Sequence, residues 1–259
     1  MSWTVPLTQC AMNRRTFLQA SGAALVSSNL TGVGHLDAPD PRLRSRPKQA
    51  KRVMAAGLTR HPVVETSVVT YLPERALTLE RVPLMVFLHG ANRTVDAFME
   101  RFRPVADATG VMLLMPFAMG GTWDAIRYFF GPDVAAIDAS LAWCFDEVPI
   151  DPRRITLSGF SDGATYALAL GRANGDLFTR IAAYSPGFLI PVKPVGRPPI
   201  VISHGRQDRI LPFENASETI VPTLTKAGYA VDFHPFDGPH TVLMDVVERE
   251  MKALGTGAS

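Results

Sequence analysis

An α/β fold built on a mostly parallel sheet is what this 259-residue chain predicts, and three observations carry the prediction. Strand-like and helix-like segments alternate from residue 63 to the C-terminus, the pattern of a sheet with helices on both faces. Several strand segments are continuous apolar runs, as expected of strands covered on both sides. Glycine-rich and polar residues gather just after those runs, where open α/β sheets bind their ligands.

The elements follow in order. Strands are expected at Val63–Tyr71, Leu84–Leu88, Val111–Met115, Ile155–Gly159, Ile181–Ser185, Ile200–Ser203 and Ala230–His234. Helices are expected at Thr94–Ala108, Asp133–Glu147, Asp162–Ala173, Glu214–Ala227 and Val242–Leu254. Parallel crossovers between such strands are right-handed. The chain has no internal repeat and no insertion long enough for a large lid. About 200 residues make one domain, assigned to residues 60–259.

The segments before it read differently. Asn13-Arg14-Arg15-Thr16-Phe17-Leu18-Gln19 fits a twin-arginine export signal, followed by the mildly apolar Ala20–Val26. That run is too short to span a bilayer. Residues 1–38 are therefore expected to be a leader read by the Tat export machinery, with Ala38 one candidate end. Met12 is a candidate start, which would make residues 1–11 an extension. The expected destination is the periplasm or the medium. Residues 39–59, rich in Pro, Arg and Lys, are expected to be a solvated basic linker.

Charge argues against nucleic acid. Removal of Arg14, Arg15 and Asp37 with the leader takes 26 basic and 24 acidic side chains to 24 and 23, which leaves no global drive towards polyanions. Cys10 lies in the leader, so Cys144 stands alone and no internal disulfide is expected. No His/Cys cluster has metal-ligand spacing, and neither a metal nor a cofactor is expected.

The chemistry centres on Gly159-Phe160-Ser161-Asp162-Gly163. A short buried strand precedes it and a helix follows. Such a turn holds a serine oxygen above the sheet, and the helix N-terminus aims the Asp162 amide at a developing oxyanion. A serine needs a histidine to take its proton and a carboxylate to orient that histidine. Three histidines lie downstream: His204, His234 and His240. His240 sits in a Gly/Pro loop after a strand and is the expected base. His234 lies within a strand run. Asp208, just past the Ile200–Ser203 strand, is the expected acid, with Asp232 and Asp237 as rivals. A second oxyanion donor is expected from Ala91, after Leu88-His89-Gly90. His89 is expected to brace that loop.

Leu88-His89-Gly90, the pentapeptide, Ser203-His204-Gly205-Arg206-Gln207-Asp208 with Leu211-Pro212, and Pro239-His240 together resemble the phospholipase/carboxylesterase group of α/β-hydrolases. Dienelactone hydrolase-like and feruloyl- or polyhydroxybutyrate-esterase-like proteins are relatives of that group. The resemblance covers residues 60 to 255. It implies Ser161 as nucleophile, Asp208 as acid, His240 as base, the Ala91 and Asp162 amides as oxyanion hole, and a cofactor-independent esterase acting on a small or soluble ester. Dienelactone hydrolases proper have cysteine where this chain has Ser161. Many relatives have Gln or Ala where it has Asp162, whose carboxylate is expected at the rim. A serine peptidase or a non-catalytic binding protein on the same fold are the alternatives. Trp123, Tyr128 and Phe129, in the irregular stretch Phe117–Pro132, are expected to wall a substrate pocket, with Phe188 a weaker candidate.

Overall fold

A computed structural model describes residues 41–50 and 53–257. The expected export signal and its cleavage site lie outside the described residues.

The sheet begins with a hairpin, β1 (Gly57–Val63) and β2 (Thr66–Leu72), paired from Gly57 with Leu72 to Val63 with Thr66. Here the structure corrects the sequence reading, which had one strand over 63–71 and linker to residue 59. The turn is Val64-Glu65, with Val64 at φ 52°. A β-branched residue rarely adopts that conformation, and neither residue is a turn former, so the sequence carries no mark of the reversal.

The rest follows the expected alternation: β3 (Val82–Leu88), α1 (Val95–Thr109), β4 (Met112–Pro116), α2 (Asp124–Arg127), α3 (Pro132–Glu147) and β5 (Ile150–Phe160). Then come α4 (Asp162–Ala173), β6 (Arg180–Tyr184), β7 (Ile200–Gly205), α5 (Val221–Lys226), β8 (Val231–Phe236) and α6 (Met244–Thr256). A π turn at Asn215–Ile220 leads into α5.

The eight strands form one sheet in the order β1-β2-β4-β3-β5-β6-β7-β8. Pairing is antiparallel from β1 through β2 to β4 and parallel from β4 across to β8. Every residue of β3, Val-Pro-Leu-Met-Val-Phe-Leu, is buried. Its side chains alternate between two cores. Leu84, Val86 and Leu88 meet α3 and α4 through Ile137, Leu141, Tyr166 and Leu170. Met85 and Phe87 meet α1 and α6 through Phe98, Phe102, Val247 and Met251. Full burial of each such side chain contributes about 1.5–3 kcal/mol. The two helical layers hold the sheet rigid, so the loops after β3, β5, β7 and β8 emerge at fixed places on one edge.

The expected solvated tether instead lies against the domain over residues 41–50. Leu43 is buried in the core beneath α3 and α4. Its amide donates to Asn174 Oδ1 at 2.8 Å, and Asn174 Nδ2 donates to Pro41 O at 2.9 Å. Arg44 and Ser45 amides share Asp138 Oδ1, each at 2.9 Å. Arg42 and Arg46 both pair with Asp176. A Pro/Arg-rich composition suggested solvation, but one leucine with a socket and satisfied backbone groups suffices to dock the segment.

No helix among the described residues is long and apolar enough to cross a membrane. Cys144 is buried and unpaired, and burial pushes its thiol pKa up.

Candidate active site

Ser161 sits between β5 and α4 with φ 57° and ψ −120°. This strained turn needs glycine on either side. A Cβ at Gly159 would lie 2.3 Å from Gly163 O, and one at Gly163 would lie 2.1 Å from Leu88 O. Both distances are far inside van der Waals contact, so α4 can approach the β3 and β5 ends only without those side chains. The Ser161 amide donates to Tyr184 O at 2.9 Å, pinning the turn to β6.

The β7 and β8 loops are joined to each other. Arg206 N donates to Phe236 O at 2.8 Å and Gln207 N to Gly238 O at 3.0 Å. A Cβ at Gly205 would meet Gly238 O at 2.3 Å. This close approach brings Asp208 and His240 together from separate loops. His240 Nδ1 lies 2.6 Å from Asp208 Oδ2, and His240 Nε2 lies 2.9 Å from Ser161 Oγ. Phe160 supports the imidazole, with ring centroids 4.7 Å apart. Ser161 is 8% exposed and Asp208 fully enclosed at its side chain.

Burial of Asp208 opposes its ionisation. The Leu211 amide, the His240 hydrogen bond and the Ile210 amide outweigh that burial and hold its carboxyl below the usual carboxylate range. Both amides reach Asp208 Oδ1 at 2.9 Å. Asp208 Oδ2 therefore faces His240 as an acceptor, which places the ring proton on Nδ1 and leaves the Nε2 lone pair towards Ser161.

The loop after β3 faces the same serine. A Cβ at Gly90 would lie 3.2 Å from Ser161 Cβ, so a side chain there would crowd the nucleophile turn. Asn92 and Arg93 follow at φ 70° and 57°. Among the described residues, the Ala91 and Asp162 amides have no protein acceptor, as expected of donors left for a ligand at a helix N-terminus. His89 braces this loop, as the sequence suggested. Its Nδ1 donates to Gly90 O at 2.6 Å and its Nε2 accepts from Ala118 N at 3.0 Å. Burial lowers the His89 pKa.

Trp123 both braces the site and lines a cavity. It is fully buried, its Nε1 donating to His89 O at 2.8 Å, and its ring packs between His89 and Tyr166. It supports the oxyanion loop from beneath. Tyr128 (80% exposed), Phe129 (62%) and Phe188 (44%) remain at the surface. None of the three rings contacts His240. A cavity of about 230 Å³ is lined by Met119, Thr122, Trp123, Arg127, Tyr128 and Pro132 among others.

Three side chains were missed from sequence. Thr122 Oγ1 donates to Asp162 Oδ2 at 2.6 Å, so the carboxylate expected free at the rim is tied to the loop after β4. A lone threonine in a glycine-rich loop carries no signal for this. Asp133 and Asp124 hold the same loop. Asp133 accepts the Met119 and Asp124 amides, each at 2.7 Å, and Asp124 accepts the Gly131 and Asp133 amides and the Tyr166 hydroxyl. Burial raises the Asp133 carboxyl pKa, with the two amides opposing it. Of the other histidines, His234 lies on the sheet edge with Asp232 and Arg249. His204 is buried beside Asp208. Asp237 pairs loosely with Arg206.

The phospholipase/carboxylesterase family model matches residues 135–255, which hold the serine, acid and base positions. The sheet order and the placement of these loops agree with that match. The chain has the α/β-hydrolase fold. Solved structures resembling it include esterase PE8, with a TM-score of 0.58 and 21% identity, covering 77% of this chain and 98% of that one. Another is MGS-M1, an α/β hydrolase from a Medee basin deep-sea metagenome library, with a TM-score of 0.62, 19% identity and coverage of 77% and 98%. At these identities the likeness concerns the fold. NocK of Nocardia uniformis subsp. tsuyamanensis, whose name designates it an esterase, is 28% identical over 180 residues, 65% of this chain. The chain spans about half the length of that curated relative, 51%.

Among the described residues no group of three or more His, Cys, Asp or Glu could hold a metal ion.

Proposed function

We propose that this α/β-hydrolase is a serine esterase that cleaves carboxylic esters through Ser161, His240 and Asp208. The observation that carries the reading is the unbroken relay Ser161 Oγ–His240 Nε2–Nδ1–Asp208 Oδ2, at 2.9 and 2.6 Å. His240 Nε2 takes the Ser161 proton as the serine oxygen attacks the ester carbonyl. Asp208 keeps the ring oriented and stabilises the imidazolium that forms. The oxyanion of the tetrahedral intermediate accepts hydrogen bonds from the Ala91 and Asp162 amides. His240 then protonates the leaving alcohol, giving an acyl-serine, and water reverses the sequence to release the acid. The esterase names of the matched proteins agree with this chemistry. Export through the twin-arginine leader goes with the proposal. Arg14→Lys with Arg15→Lys is then expected to retain the protein in the cytoplasm, and unchanged fractionation sinks that part.

Fluorophosphonate labelling tests the mechanism. The wild-type chain is expected to be modified at Ser161 and to hydrolyse short nitrophenyl esters. Ser161→Ala is expected to abolish both, and hydrolysis that survives this substitution refutes the proposal.

A further inference from the structure

Asp208 has a second histidine against it. His204 leaves β7 fully buried, and its Nε2 donates to Leu211 O at 2.9 Å. The same nitrogen lies 3.2 Å from Asp208 Oδ2, the oxygen that His240 uses. Both neighbours of Nε2 are oxygens that only accept, so Nε2 carries the proton. His204 Nδ1 is buried without a partner, a lone pair left bare, which costs less than a bare N–H in the same place. The ring also has an aromatic neighbour. Phe213 meets it edge-on at 6.0 Å, Phe233 stacks on Phe213, and Arg206 lies over the Phe213 ring.

The Leu211 peptide is thereby held at both ends. Its carbonyl accepts from His204, and its amide donates to Asp208 Oδ1. Asp208 Oδ1 is fixed by two amides, whereas Oδ2 has the imidazole of His240 and the N–H dipole of His204. We propose that His204 is a positioning residue: it locks the 208–211 turn and turns Asp208 Oδ2 towards His240. This assignment rests on the esterase reading above. It explains a buried polar ring that takes no part in proton transfer and leaves one nitrogen unsatisfied, an arrangement that packing alone would not favour.

Two substitutions separate position from bulk. In His204→Gln the side-chain amide nitrogen can reach the place of Nε2, whereas in His204→Asn it stops near Nδ1 and leaves Leu211 O without its donor. The readouts are kcat and KM on a nitrophenyl ester, thermal midpoint, and the downfield proton resonance of the His240 Nδ1–H in its short bond to Asp208. His204→Asn is expected to lower kcat roughly tenfold with KM little changed, and His204→Gln to stay within about threefold of wild type. The His240 resonance is expected to move in the Asn variant and stay in the Gln variant. Equal kcat in Asn and wild type overturns the proposal, as does parallel loss in both variants that tracks their thermal midpoints. The resonance needs no turnover. If the wild type fails to label with fluorophosphonate, the esterase reading is what fails. A resonance unmoved in the Asn variant overturns the His204 assignment by itself.

Discussion

Gly163→Ala is the most severe single methyl the site could receive. The added Cβ would stand 2.1 Å from Leu88 O, 2.4 Å from His89 O and 2.6 Å from Leu88 C. All three are backbone atoms of the strand that leads into the oxyanion loop, so no side chain can swing aside. Relief requires α4 to move off β3 by more than 1 Å, since carbon–oxygen contacts settle near 3.2–3.5 Å. That displacement loosens the packing of Tyr166, Ala167 and Leu170 against the sheet and shifts the Asp162 amide. Overpacking typically costs about 1–3 kcal/mol, and a backbone clash belongs at or above the upper end. For a domain of this size, 3 kcal/mol lowers the thermal midpoint by about 6–12 °C. Gly121→Ala is the control, because a Cβ there has nothing within 4 Å. Thermal unfolding and the rate of fluorophosphonate labelling would be measured for both. The expected result is a lower midpoint and slow labelling for Gly163→Ala, with Gly121→Ala near wild type. A Gly163→Ala protein as stable and as reactive as wild type would refute the close approach of α4 to β3.

Other perturbations give distinct signatures. Asn174→Ala removes the side chain that holds both Leu43 N and Pro41 O. Leaving these buried groups bare is expected to cost about 2–3 kcal/mol, seen as a lower thermal midpoint. Arg42→Ala, which breaks a partly exposed pair with Asp176, is expected to cost under about 1 kcal/mol, and the reverse order would contradict the docked segment. Asp162→Asn keeps an acceptor for Thr122 and removes the charge beside Ser161. It is expected to raise kcat/KM on an anionic ester relative to a neutral one by about three- to tenfold, and an unchanged ratio would show that the carboxylate does not sense substrate charge. Acid stability has two stages. His89 is lowered by burial, so below about pH 6.5 the unfolded chain binds a proton that the folded chain resists, and stability falls until folded His89 titrates. Asp208 is depressed, so its contribution is present above about pH 4 and is lost as pH falls through its folded value. Denaturant midpoints from pH 7 to pH 4.5 are expected to slope less in His89→Asn than in wild type, and equal slopes would rule out a protonation-resistant His89.

How far the sequence could be read depended on the range of the interaction that fixes each element. The run Leu84–Leu88 marks a doubly covered strand by itself, and Gly159 and Gly163 mark the strained turn because only glycine tolerates backbone atoms that close. The bounds of α4 came out as expected, since a tight turn starts it. Chain order together with a position just past a strand end pointed to Asp208 and His240, which lie within bonding distance. What failed was set by tertiary contact. The Val64 turn has no turn residue. Leu43 docks because Asn174 lies 131 residues away to receive it. The sequence places Trp123 in a pocket wall but carries no mark of its N–H donation to the His89 carbonyl. Thr122 gains its meaning only from Asp162 across the site.

The stitching of the β7 loop to the β8 loop divides the site into two assemblies with separate foundations. Asp208 and His240 are carried by one pair of loops, joined through Arg206–Phe236 and Gln207–Gly238 backbone bonds. Ser161 and the oxyanion amides are carried by another, where α4 meets the end of β3. Among the described residues, the 2.9 Å hydrogen bond between His240 and Ser161 and the packing of the Phe160 ring on His240 span the two. The acid–base pair is thus carried largely by loops other than those that carry the serine. A change of nucleophile at position 161 would leave the acid–base pair standing, so the same frame can host a different attacking atom without being rebuilt.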